Sequence, residues 1–77
     1  MITALSALRN GQTAVLRRVE GERNYRRRLL ELGFVPGTEL LLVRRVDVGD
    51  ILEVELRHSR VSLRISEARS IEVEART

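Results

Sequence analysis

Two runs of strict alternation in the second half of the chain restrict its fold more than any other feature. Leu52, Val54 and Leu56 alternate with Glu53, Glu55 and Arg57, and Val61, Leu63 and Ile65 alternate with Arg60, Ser62 and Arg64. Successive side chains on a strand point to opposite faces, so each run predicts a strand with one apolar and one polar face. A hairpin turning at His58-Ser59 pairs residue 57 with 60, 56 with 61, 54 with 63 and 52 with 65, which gathers all six apolar residues on one side. The opposite side then sets Glu53 against Arg64, with Arg57 facing Arg60 across the tip at a small like-charge cost.

The elements before and after this hairpin are marked by turn residues. Leu5 and Leu8 are spaced as one helical turn, Asn10-Gly11 is a turn dipeptide, and Gln12 to Val19 is β-branched and apolar enough for a strand. Gly21 ends that strand. Tyr25, Leu29 and Leu32 then fall at i, i+4 and i+7, the apolar stripe of a short amphipathic helix with Asn24 as its N-cap. Gly33 stands where a helix end favours a left-handed residue, and Phe34 is placed to fold back on Leu29 or Leu30. Pro36-Gly37 predicts a turn. Thr38 to Val46 holds four consecutive aliphatics, Leu40 to Val43, which predicts a strand buried on both faces, one toward the core and one toward the helix. Gly49-Asp50 interrupts the chain again, and a polar turn from Ser66 to Ser70 leads to a last strand with Ile71, Val73 and Ala75 inward.

Five short strands and one small helix in 77 residues predict a mostly β fold, a small SH3-like, five-stranded, partly open barrel with the helix between strands one and two. An OB-type barrel fits less well, because that fold carries its helix between strands three and four. Residues 1–77 read as a single domain without internal repeat or linker. A chain this short buries only about 60% of its unfolded surface, and without cysteine it has neither a disulfide nor a thiolate metal site to staple it. Twelve leucines and only two aromatic residues, Tyr25 and Phe34, make the expected core aliphatic. No apolar run approaches the roughly 18 residues of a membrane span, and Met1 to Leu8 lacks the plan of a signal peptide, so a cytoplasmic protein is expected.

The basic residues number 14, and every one is arginine. A Schiff-base lysine, a phosphate-loop lysine and a cysteine nucleophile are therefore excluded. His58 and Ser59 are neighbours at a predicted turn, and adjacency supplies neither the geometry nor the orienting third group of a Ser–His pair. As a metal ligand His58 is a weak candidate, since one imidazole among scattered carboxylates lacks the spacing of a zinc or iron site. The five glycines form no phosphate loop or dinucleotide fingerprint. Neither catalysis nor an intrinsic cofactor is expected, and any divalent-metal binding would be weak.

Charge is distributed unevenly. From Arg9 to Arg28 seven arginines meet two acids (7 − 2 = +5), whereas from Val46 onward five arginines meet seven (5 − 7 = −2). A basic barrel is a common nucleic-acid module, but single-strand binders stack bases on aromatic platforms, and no strand here carries alternating aromatics. Nucleic acid is therefore not expected. The same scarcity of rings excludes the aromatic groove that receives proline-rich peptides. The basic loop and helix instead suit an acidic or phosphate-bearing partner.

The stretch Arg27-Arg28-Leu29-Leu30-Glu31-Leu32-Gly33-Phe34-Val35-Pro36-Gly37-Thr38-Glu39-Leu40 resembles the central signature of the FeoA family, the small ferrous iron transport proteins A. The order of features around it is similar too, from Leu5-x-x-Leu8 and Asn10-Gly11 to Gly49-Asp50, Leu63-Arg64 and Ile71-x-Val73. Two positions depart from the family pattern: Ile51 stands where proline is frequent, and Arg57-His58-Ser59 replaces a glycine-containing turn. The resemblance implies a cytoplasmic adaptor peripheral to the membrane, acting with FeoB, a ferrous iron transporter with a cytoplasmic G domain. Its expected contact surface comprises Arg23, Arg26, Arg27, Pro36 and Gly37. A nucleic-acid-binding barrel, a metal-binding chaperone and the regulatory domain of an iron-responsive repressor are the alternatives, and self-association is left open.

Overall fold

The computed structural model describes residues 1–76. Six antiparallel strands form one sheet: β1 (Ile2–Ala4), β2 (Thr13–Val19), β3 (Glu39–Val46), β4 (Ile51–Glu55), β5 (Arg60–Arg64) and β6 (Ile71–Ala75), in the order β1-β6-β2-β3-β4-β5. Helix α1 (Arg23–Glu31) joins β2 to β3, and a second short helix, α2 (Ile65–Ala68), precedes β6. The sheet curls round one aliphatic core built from Leu5, Leu16, Leu29, Leu42, Leu52 and Val73 among others, with Phe34 the one fully buried ring. A 3₁₀ turn at Leu5–Ala7 packs against α2 and β6, and α2 in turn against β4 and β5; the edge strands β1 and β5 do not pair with each other, so the barrel is partly open. The mostly β, small-barrel expectation thus holds, with β1 added ahead of the five expected strands.

Bulges explain two pairs of adjacent arginines. Between Leu16 and Arg18 the β2–β6 register shifts by one residue, and between Leu42 and Arg44 the β3–β4 register does the same. A bulge inserts one unpaired residue, so Arg17 and Arg18 both stay outside while Val19 turns back toward the core. Arg45 is used differently from the exposed arginines. Its guanidinium donates to the carbonyls of Ser6 at 2.6 Å and Leu8 at 2.8 Å, and its backbone N–H donates to Asn10 Oδ1 at 2.9 Å. It thereby ties the 3₁₀ turn, whose last carbonyls lack helical partners, to β3.

Four details differ from the sequence expectation, each for a local physical reason. In the β4–β5 hairpin Leu52 pairs with Leu63 and Val54 with Val61, a register two residues away from the expected one. The loop therefore spans residues 56–59, closed by a 2.7 Å bond from Leu56 N–H to the Ser59 carbonyl. A shift of two preserves which face each side chain takes; it also replaces the Arg57–Arg60 opposition by an Arg60–Glu55 ion pair at 3.2 Å. Leu56, freed from pairing, drops into the core at 5% exposure. The loop needs no glycine, because no residue from 56 to 59 has a positive φ.

Ile65 opens α2 instead of ending β5, and Glu67 accepts a bond from the Arg64 N–H at 3.1 Å to start that helix. The N-cap of α1 is Glu22, whose carboxylate accepts from the Asn24 N–H at 2.9 Å; Asn24 itself lies within the helix. The outward side chains of β3, Leu41 and Val43, are only half-buried. Helix α1 leans instead on the α2 segment: the Tyr25 hydroxyl donates to the Glu67 carbonyl at 2.7 Å and lies 2.9 Å from Ser70 Oγ, while Arg28 pairs with Glu67 at 2.8 Å.

Across the barrel surface Arg17 pairs with Glu74, and its guanidinium holds that carboxyl below the ordinary value of 4.5 by hydrogen bonding first and charge attraction second. A carboxylate whose pKa is lowered by folding stabilises the native state above its unfolded pKa, and this contribution disappears as pH falls through the folded value. Both side chains are about half exposed, at 50% and 41%, so salt weakens the pair. Glu74→Gln is expected to lower the melting temperature slightly at pH 7 in low salt and to converge with the wild type as acid protonates Glu74 below pH 4.5, so that the variant loses less stability over that range. Melting curves across that range check it.

Candidate functional site

The C-terminal end of α1 fixes the surface of interest. Gly33, at φ +109°, lets the chain reverse; its N–H donates to the Leu30 carbonyl at 3.0 Å and the Phe34 N–H donates to the Leu29 carbonyl at 3.0 Å. These are the two bonds of a Schellman cap, and the accompanying apolar contact is made by Leu29 and Phe34, both fully buried. Val35-Pro36-Gly37-Thr38 follows as a turn closed by a 3.0 Å bond from the Thr38 N–H to the Val35 carbonyl. Proline at its second position and a glycine at φ +94° at its third are the requirements of a type II turn. Two further bonds hold it against β2: Gly37 N–H to the Leu16 carbonyl at 2.7 Å, and Leu16 N–H to the Thr38 carbonyl at 2.8 Å.

This arrangement leaves a groove between α1 and the end of β2. Arg23, Arg26, Arg27 and Leu30 form one wall, at i, i+3, i+4 and i+7 on a single helix face. Arg17 and Arg18 of the β2 bulge form the other, with half-buried Val19 at the bottom and Pro36 at one end. Arg17 and Arg18 are paired with Glu74 and Glu20, whereas among the described residues Arg23, Arg26 and Arg27 form no ion pair. Leu30 and Val35 are 46% and 47% exposed beside them. Neither ring reaches the groove: Phe34 is buried, and Tyr25 is turned toward α2 with Arg28 stacked 5.9 Å from its centre.

Of the five residues expected in one surface, Arg23, Arg26, Arg27 and Pro36 share this groove. Gly37 lies on the far side of the turn, in a second depression with Thr13, Glu39, Leu41, Glu55 and Arg57. Pro36 borders both. Arg17, Arg18 and Leu30 were not anticipated as members; the spacing of Arg23, Arg26, Arg27 and Leu30 signals the helical wall, but the opposing strand wall has no local signal.

His58 sits exposed in the 56–59 loop. Among the described residues no three histidine, aspartate or glutamate side chains are grouped to hold a metal ion, and no helix is long and apolar enough to cross a membrane.

Comparison with known proteins relates this geometry to one family. The chain is 41% identical over 70 residues, 91% of its length, to the Fe(2+) transport protein A/Fe(2+) transporter FeoB fusion protein of Porphyromonas gingivalis, and spans only 8% of that much longer protein. The solution structure of FeoA from Chlorobium tepidum superposes with a TM-score of 0.89 at 35% identity, covering 97% of this chain and 71% of the other. FeoA of Stenotrophomonas maltophilia, described as a prokaryotic SH3 domain protein and crystallised with zinc, gives 0.81 at 38% identity, covering 94% and 89%. The FeoA domain family matches residues 3–75, and with these likenesses in sequence and fold the chain belongs to the FeoA family.

Proposed function

We propose that this protein is a small accessory adaptor of ferrous iron uptake, docking on the cytoplasmic part of a FeoB-type, GTP-dependent membrane transporter and modulating its activity or assembly. It acts at the inner face of the membrane, held there by its partner, and performs no chemistry of its own. The observation that carries this reading is the Porphyromonas gingivalis relative, named as a fusion of Fe(2+) transport protein A and the transporter FeoB. Joining two modules in one chain raises their effective concentration, which is useful when they work together. The groove at Arg23, Arg26, Arg27 and Pro36 is the proposed contact, with Gly37 shaping the turn behind it.

Reversing all three charges (Arg23→Glu, Arg26→Glu, Arg27→Glu) is expected to weaken binding to the transporter's cytoplasmic region by at least about tenfold. The melting temperature should change little, because the three side chains are exposed and unpaired among the described residues. Undiminished binding in a titration would remove this surface.

A second reading, metal carriage, has the zinc complex of the Stenotrophomonas maltophilia protein in its favour. Stoichiometric ferrous iron or zinc uptake in equilibrium dialysis, abolished by His58→Ala, would support it.

A further inference from the structure

We infer that the groove between α1 and β2 receives a short acidic segment of the partner carrying at least one bulky apolar side chain, its carboxylates on Arg23, Arg26 and Arg27 and its apolar residue against Leu30, Val19 and Pro36. This rests on the docking reading above and specifies the chemistry of what docks.

Helix α1 breaks two local rules to present its wall. Arg23 stands at the first helical position, where the positive end of the helix dipole disfavours a cation, and no acid follows in the first turn. Arg23 and Arg27 repel one another at i, i+4. Apart from the Glu22 carboxylate that caps the helix, no acid within the described residues forms an ion pair with these arginines, and Glu20, Glu67 and Glu74 are already engaged by Arg18, Arg28 and Arg17. Local conflicts without a structural return concentrate at functional surfaces.

The occupant is identified by complementarity. With Arg17 and Arg18 neutralised in place, the groove keeps three arginines outside any ion pair beside a 46%-exposed leucine, so its complement is acidic and apolar together. A second copy offers one segment of this kind, the Asp47-Val48-Gly49-Asp50 turn with Val48 88% exposed, so self-association of the peptide-free protein that Val48→Ser abolishes would assign the groove to a second copy and overturn the proposal. An anionic bilayer is flat and meets only protruding groups, whereas Val19 lies half-buried at the bottom of the groove.

The test uses fluorescein-labelled synthetic peptides of alternating Glu and Leu, of Glu and Ser, and of Lys and Leu, read by anisotropy at low salt. The Glu–Leu peptide is expected to bind, the Glu–Ser peptide at least about fivefold more weakly, and the Lys–Leu peptide not at all. The triple charge reversal should abolish Glu–Leu binding, and Leu30→Ser should reduce it to the Glu–Ser level. Equal binding of Glu–Leu and Glu–Ser, or no effect of Leu30→Ser, overturns the proposal. So does retention on phosphatidylglycerol vesicles without peptide binding, which would assign the groove to lipid. If the transporter's cytoplasmic region binds through the three arginines while the Glu–Leu peptide does not bind, the segment proposal fails and the docking reading stands. If binding to that region ignores the triple reversal, this surface and the segment proposal fall while docking stands; if the wild-type protein does not bind that region at all, the docking reading itself fails.

Discussion

Phe34→Ala is expected to leave the protein largely unfolded at room temperature. Phe34 is the one fully buried aromatic residue, and it closes the Schellman cap by packing on Leu29. Truncating a buried phenylalanine costs about 3–5 kcal/mol, a large part of the roughly 5 kcal/mol available to a domain of this size. No other ring lies in the core to fill the cavity. Denaturant titration followed by circular dichroism would show a lost or strongly shifted transition. Phe34→Leu keeps most of the volume and should cost less than about 1.5 kcal/mol. Equal damage from both substitutions would mean that cap geometry, not volume, governs this site.

Gly33→Val should be the next most damaging change. At φ +109° any side chain is strained, and a β-branched one most of all. The added Cβ would also stand 3.2 Å from Leu56 Cδ1, closer than ordinary van der Waals contact. Backbone strain of this kind costs about 1–3 kcal/mol, and displacement of Leu56 from the core adds to it. The loss should appear as a lower denaturation midpoint. Gly33→Ala should fall between valine and wild type. Because Gly33, Phe34 and Leu56 share one corner, Gly33→Ala with Leu56→Ala should be less than additive: removing the Leu56 methyl relieves the contact. Strict additivity would count against that contact.

These positions are also where the sequence was most informative. Glycine after the last helical turn and Pro-Gly before a strand act through the backbone angles of one or two residues, so the Schellman cap and the type II turn were legible without any tertiary information. Alternation likewise assigned the faces of Leu52, Val54, Val61 and Leu63, because side-chain direction in a strand is local. Register was not legible. Two- and four-residue loops give the same faces, and the choice depended on Leu56 finding a place beside Gly33 and on Glu55 meeting Arg60. Strand β1 has only three residues and no alternation; it exists because β6 offers it an edge.

The candidate site divides in the same way. Arg23, Arg26, Arg27 and Leu30 share one face by helical periodicity, and the basic excess from Arg9 to Arg28 is a count. What brings Arg17, Arg18 and Val19 opposite that face is the β2 bulge together with the Gly37–Leu16 and Leu16–Thr38 bonds, which hold the Pro36 turn against the strand. The sequence by itself determined the turns, the inward faces, the arginine-rich helix and the family signature, since each rests on neighbours within a few residues. Tertiary structure alone decided the hairpin register, the shared use of Glu67 by Tyr25 and Arg28, and the separation of Gly37 from the groove. Each of these depends on hydrogen bonds and packing between segments far apart in the chain, which periodicity does not encode.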